Sequence, residues 1–109
     1  PEWLLADNQM NHGLVVGDAI PNWKGLDWAN LQVRLDIDGQ TIVDQKGGLG
    51  AIDPVRPLAW MIDHAVRHRG GLRAGQAITT GSWTGLRYCP PGTRARGTFV
   101  GLGSVEARF

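Results

Sequence analysis

Leu31-Gln32-Val33-Arg34-Leu35-Asp36-Ile37-Asp38-Gly39-Gln40-Thr41-Ile42-Val43-Asp44 carries the clearest structural signal in the chain. Leu31, Val33, Leu35 and Ile37 alternate with Gln32, Arg34 and Asp36, the period of two that a strand with one buried face requires. Asp38-Gly39 accepts the positive φ angles of a two-residue type I′ turn, so the stretch predicts a hairpin with its return strand over 40–44. Asp36-x-Asp38-Gly39 also matches the opening of a calcium loop. The third acidic position and the terminal Glu of that pattern are missing, and a hairpin turn is the simpler reading.

Upstream of the hairpin, Leu14-Val15-Val16 predicts a short buried strand entered through the polar run Asp7–His12. Residues 18–30, with Pro21, Asn22 and Asn30, read as a surface connection onto which Trp23 and Trp28 pack. Downstream, a glycine loop leads to Asp53-Pro54-Val55-Arg56-Pro57, whose prolines and Asp suit the start of a helix. Leu58, Met61, Ile62, Ala65 and Val66 then form one apolar stripe on a helix of about three turns, closed by Gly70-Gly71. A strand is expected over 76–80, and two more near 94–100 and 104–109 after the Cys89–Gly92 turn. The expected fold class is α+β and β-rich, a single domain over 1–109 with one packing helix.

Composition narrows the function. Sixteen Gly and six Pro favour short strands and turns over long helices. A net charge of +1 with eleven scattered Lys and Arg offers no dense basic patch for nucleic acid. Arg67-His68-Arg69 with Arg73 reads as a solvated helix end. No apolar run reaches the roughly 18–20 residues of a membrane span, and no secretory-signal pattern opens the quoted residues. The single Cys89 excludes an internal disulfide and fits a reducing, cytoplasmic setting; before Pro90-Pro91 it has no evident base and reads as inert. The first residue is Pro1 rather than Met, so a trimmed or incomplete start is expected.

Three groups of residues offer chemistry. Asp7-Asn8-Gln9-Met10-Asn11-His12 supplies a carboxylate, carboxamides and an imidazole just before an apolar segment, where they suit a pocket wall or an Asx-capped loop. His12 has the chemistry of a general base, though a structural role explains a lone His as well. Thr79-Thr80-Gly81-Ser82-Trp83-Thr84-Gly85 combines hydroxyls with glycines that admit close approach, neutral donors suited to an α-keto carboxylate. Ser82 has no base beside it in sequence, so the loop is no nucleophile site. His64 and His68 share one side of the helix and two such imidazoles can bind zinc, but no glutamate general base lies between them. A solvent or interface role fits them better, with Trp60 on the same edge.

Ala6-Asp7-Asn8 with Gly13 and Val16-Gly17, Pro57-Leu58-Ala59-Trp60, Gly71-Leu72-Arg73-Ala74-Gly75-Gln76, Thr79-Thr80-Gly81-Ser82 and the tail Leu102–Phe109 occur in order along nearly all of the chain. Together they resemble the carboxy-terminal half of the 2-keto-4-pentenoate hydratase and 4-oxalocrotonate decarboxylase group of the fumarylacetoacetate hydrolase superfamily. The resemblance implies a mixed β-roll with its site in the roll, and a Mg²⁺ or Mn²⁺ ion that chelates a 2-keto acid. It implies a lyase of aromatic-compound catabolism, hydrating 2-hydroxypenta-2,4-dienoate or decarboxylating 2-oxo-3-hexenedioate. It places Asp7, Asn8, Asn11, Thr80 and Ser82 in the substrate pocket, Asn11 standing where relatives often carry a small hydroxyl-bearing residue.

The family's Glu-x-Glu metal ligands and a further acidic residue precede the segment matching residue 1. The only glutamates here are Glu2 and Glu106, and Asp36/Asp38 is the only close acidic set. No metal ligand is assigned within the chain; missing sequence or another chain is expected to supply them. Expected partners are a small-molecule keto acid and a second copy or complementing half of the protein, with neither nucleic acid nor membrane. The alternatives are a non-catalytic assembly or binding module that keeps the scaffold without the metal, and a carbon–carbon hydrolase of diketo acids.

Overall fold

The computed structural model describes residues 2, 12–48, 53 and 55–109. The expected hairpin is present. Strand β1 (Gln32–Ile37) pairs antiparallel with β2 (Gln40–Lys46). Asp38 and Gly39 take φ angles of 48° and 81°, which a two-residue turn of this hand requires. The return strand runs two residues further than the alternation predicts. A bulge sets Leu35 opposite Val43 but Asp36 opposite Thr41, leaving Ile42 out of register. The extra residue turns Thr41 to the side of Asp36, whose carboxylate accepts its hydroxyl at 2.6 Å.

Strands β3 (Arg94–Phe99) and β4 (Gly103–Arg108) form a second hairpin, and β3 pairs antiparallel with β1. The sheet order is β2-β1-β3-β4, antiparallel throughout. The β1–β3 pairing is non-local and is fastened at its end: Asp38 N–H donates to the Arg94 carbonyl at 2.9 Å, and Arg94 N–H donates to the Asp38 carboxylate at 2.8 Å across 56 positions of chain.

Because paired residues share a face, the register makes the sheet two-sided. Val33, Leu35, Val43, Gly97, Phe99 and Val105 fall on one side, with Val33 and Val43 buried at 4% and 8% exposure. The opposite side is a polar lattice. Arg34 pairs with Asp44 at 2.9 Å and Arg94 with Glu106 at 2.7 Å. Gln32 donates to Asp44 at 2.6 Å and the Arg96 guanidinium to Ser104 at 3.1 Å.

The helix α1 (Leu58–Arg69) occupies the connection from β2 to β3. The Asp53 side chain accepts the Val55 amide at 2.8 Å ahead of it. Gly70 closes it at φ 75°, and the Gly71 amide returns to the Ala65 carbonyl at 3.0 Å. The apolar stripe has the expected spacing but is largely uncovered. Ala65 is buried, whereas Val66 is 60% exposed and no strand Cα lies within 8 Å of the helix. The expectation of a helix packed on the sheet is therefore corrected for this chain.

Residues 14–16 and 76–80 are also corrected: both are irregular, with no ladder partner among the described residues. Apolar content alone does not make a strand where no sheet edge receives it. Among the described residues no helix is long and apolar enough to cross a membrane.

The polar lattice carries a pH dependence. The Gln32 hydrogen bond, then Arg34, holds the Asp44 carboxyl below its ordinary range; Arg94, aided by Arg96, does the same for Glu106. Groups so lowered contribute stability that is complete above the ordinary carboxylate range and lost as pH falls through their lowered values. Thermal melts from about pH 7 down to about pH 2 should therefore show a wild-type advantage over Asp44→Asn and Glu106→Gln that shrinks in acid. A constant gap across that range would contradict the assignment.

Candidate functional site

The apolar face of the sheet is flanked by the 14–20 segment and by the Gly81–Thr84 loop, which carries Trp83. Its ring meets Phe99 edge-on, with centroids 5.2 Å apart at 84°, and Trp28 at 6.4 Å and 61°. Gly48 makes the seat possible: a Cβ there would lie 2.7 Å from the Trp83 ring. The Gln45 side chain donates to the Trp83 carbonyl at 3.0 Å and so ties the loop to β2.

Trp83 divides the space on this face into two clefts. The larger, about 620 Å³, lies between the 14–20 segment and the Gly81–Thr84 loop, with Val33, Gly97 and Val105 as its floor. Gly17 lies so close to the sheet that a Cβ would be 2.8 Å from the Val105 methyl. The smaller, about 410 Å³, is walled by Trp23, Trp28, Val55, Leu58 and Phe99. Both volumes suit a small organic ligand.

The predicted pocket residues divide accordingly. Thr80 is half-buried and lines the smaller cleft, whereas Ser82 lines the larger, on the other side of Trp83. The two hydroxyls expected in one pocket are thus separated by an indole. Ser82 donates to the Gly85 carbonyl at 3.1 Å, which braces the loop and leaves its oxygen free to accept. Asp7, Asn8 and Asn11 lie outside the described residues. His12 is exposed and lines neither cleft.

The residue missed in the sequence is Asp18, the one ionisable side chain among the described residues lining the larger cleft. Its only signal was position, directly after Val16-Gly17. Thr84 is half-buried beside Ser82 in the same lining.

The described residues do not fit a hard dication. No three His, Cys, Asp or Glu side chains converge among them. The carboxylates of Asp36 and Asp38 are already engaged by Thr41 and the Arg94 amide. Such an ion takes six or more oxygens.

Among the described residues, an antiparallel four-stranded sheet, the helix α1 and an apolar cleft bearing one carboxylate define a small α+β domain. The family profile described as fumarylacetoacetate (FAA) hydrolase C-terminal matches residues 2–109, and the chain belongs to that family. It is 29% identical over 109 residues to a 2-keto-4-pentenoate hydratase of Burkholderia vietnamiensis (strain G4 / LMG 22486), covering 96% of this chain and 40% of that protein. It is 26% identical over 106 residues to a 4-oxalocrotonate decarboxylase of Pseudomonas putida, covering 97% and 40%. The chain thus spans about two-fifths of the length of the curated relatives it matches. No solved structure matches significantly.

The seat of Trp83 is testable. Gly48→Ala should displace the ring, cost about 1–3 kcal/mol in urea unfolding and red-shift the tryptophan emission. Gly13→Ala, where an added Cβ meets nothing within 4 Å, should stay within about 0.5 kcal/mol of wild type. Equal effects of the two would contradict the close approach.

Proposed function

We propose that this chain forms part of a lyase, a hydratase or decarboxylase of 2-keto or 2-hydroxydienoic acids from aromatic catabolism, in a β-roll of the family type. The observation that carries the reading is the larger cleft, apolar on its floor, hydroxyl-lined on one wall and bearing a single carboxylate. The names of the relatives, hydratase and decarboxylase, support it.

The chemistry orients the ligand. A keto-acid carboxylate is repelled by Asp18 and favoured by neutral donors, so it lies toward Ser82 and Thr84; Ser82 must release Gly85 to donate to it. The apolar diene then lies over Val33 and Val105, and Asp18 is the group able to move a proton at the reacting carbon. In the family reading Asp7, Asn8 and Asn11 complete the substrate surround, while Thr80 lines the smaller cleft beyond Trp83. Mg²⁺ or Mn²⁺ would supply Lewis-acid stabilisation of an enolate, on ligands beyond those described here.

Exposed apolar groups such as Val16, Trp60 and Val66 support assembly with a second copy or a complementing half. A cytoplasmic location goes with this reading. The absence of an acidic cluster among the described residues favours one alternative, a non-catalytic module retaining the scaffold.

Turnover of 2-hydroxypenta-2,4-dienoate and of 2-oxo-3-hexenedioate by the natural protein, with Mg²⁺ or Mn²⁺ present, tests the proposal. Asp18→Asn should lower kcat by roughly 10²–10⁴-fold with little change in KM. Ser82→Ala should mainly raise KM. Absence of turnover and of cation binding in the natural protein would reject the lyase in favour of the module.

A further inference from the structure

We propose that His64 and His68, on the outer side of α1, form a two-imidazole site for a borderline-soft dication such as Zn²⁺, Ni²⁺ or Cu²⁺, separate from the clefts. The two residues stand one helical turn apart and both are exposed. Their ring centroids are 4.8 Å apart, with planes at 45°. Shared coordination demands that separation: metal–nitrogen bonds of about 2.0–2.1 Å and near-tetrahedral or cis angles put two imidazole centres roughly 4.5–5.2 Å apart.

The site is also partly organised in advance. Trp60 stacks on His64 with centroids 5.2 Å apart and planes only 16° from parallel. That contact limits the rotamers His64 would otherwise lose on binding. Of the two cations flanking His68, Arg67 is engaged by Asp63 at 2.9 Å, which partly offsets its repulsion of an incoming metal, and Arg69 points about 100° away round the helix. At 100° per residue the two histidines centre roughly 105° round the helix from the middle of the apolar stripe, and both rings are exposed.

Two neutral nitrogen donors select for zinc, nickel or copper over Mg²⁺, which seeks oxygen. The remaining coordination positions stay open to water or to a donor from another molecule. The site is independent of the lyase reading: it uses none of the cleft residues and a different class of ion.

Calorimetric titration of the natural protein with Zn²⁺, in excess Mg²⁺, provides the test. One site is expected, weakened roughly tenfold or more by His64→Ala or His68→Ala and unaffected by His12→Ala, because chelation makes the second contact intramolecular. Cu²⁺ should quench tryptophan emission, and Trp60→Phe should remove most of the quenching while calorimetric binding persists. Imidazole resonances of His64 and His68 moving together with added Zn²⁺ would give the same answer in the unsubstituted protein. Zn²⁺ binding indifferent to both substitutions, or displaced by Mg²⁺, would overturn the site.

Discussion

The contact between the Trp83 ring and the space left by the missing side chain of Gly48 organises this face of the molecule. The indole packs directly on the backbone of Gly48, two residues past the end of β2, where a Cβ would sit 2.7 Å from the ring. Once seated, Trp83 meets Phe99 from β3 and Trp28 from the preceding loop. Its carbonyl is tied to β2 through Gln45. Trp83 thereby joins its own loop to three segments distant in sequence, around Trp28, Gln45–Gly48 and Phe99, and lines both clefts.

The sheet beneath is built for that role. Its register collects small and branched apolar groups on one side and closes the other with Arg34–Asp44 and Arg94–Glu106. These pairs are exposed, where ion pairs add little to stability. Their contribution is orientation: a one-residue slip of either hairpin would carry charges onto the apolar side. The polar lattice and the apolar floor therefore hold the register together.

The uncovered stripe of α1 and the exposed Trp60 are consistent with a chain that spans about two-fifths of the length of its curated relatives. Apolar spacing on a helix states which side seeks cover, while the cover itself is a property of neighbours. The same distinction separates Thr80 from Ser82. Both were legible as hydroxyls beside glycines, suited to an anionic ligand, but the intervening Trp83 is placed by Gly48, thirty-five positions earlier in sequence. Asp18 was not legible because nothing local marks a carboxylate as facing a cleft.

Local rules sufficed for the first hairpin, the two strands near the end and the helix with its glycine stop, since alternation, positive φ at Asp38-Gly39 and a 3.6-residue stripe act over a few neighbouring residues. The ordered family segments were also legible, and the match over residues 2–109 bears them out. The tertiary structure alone decided the β1–β3 pairing, the bulge at Ile42, the irregular paths of 14–16 and 76–80, and the division of the apolar face into two clefts. Each of these depends on which distant backbone or ring arrives beside a residue, and period, propensity and turn chemistry do not encode that arrival.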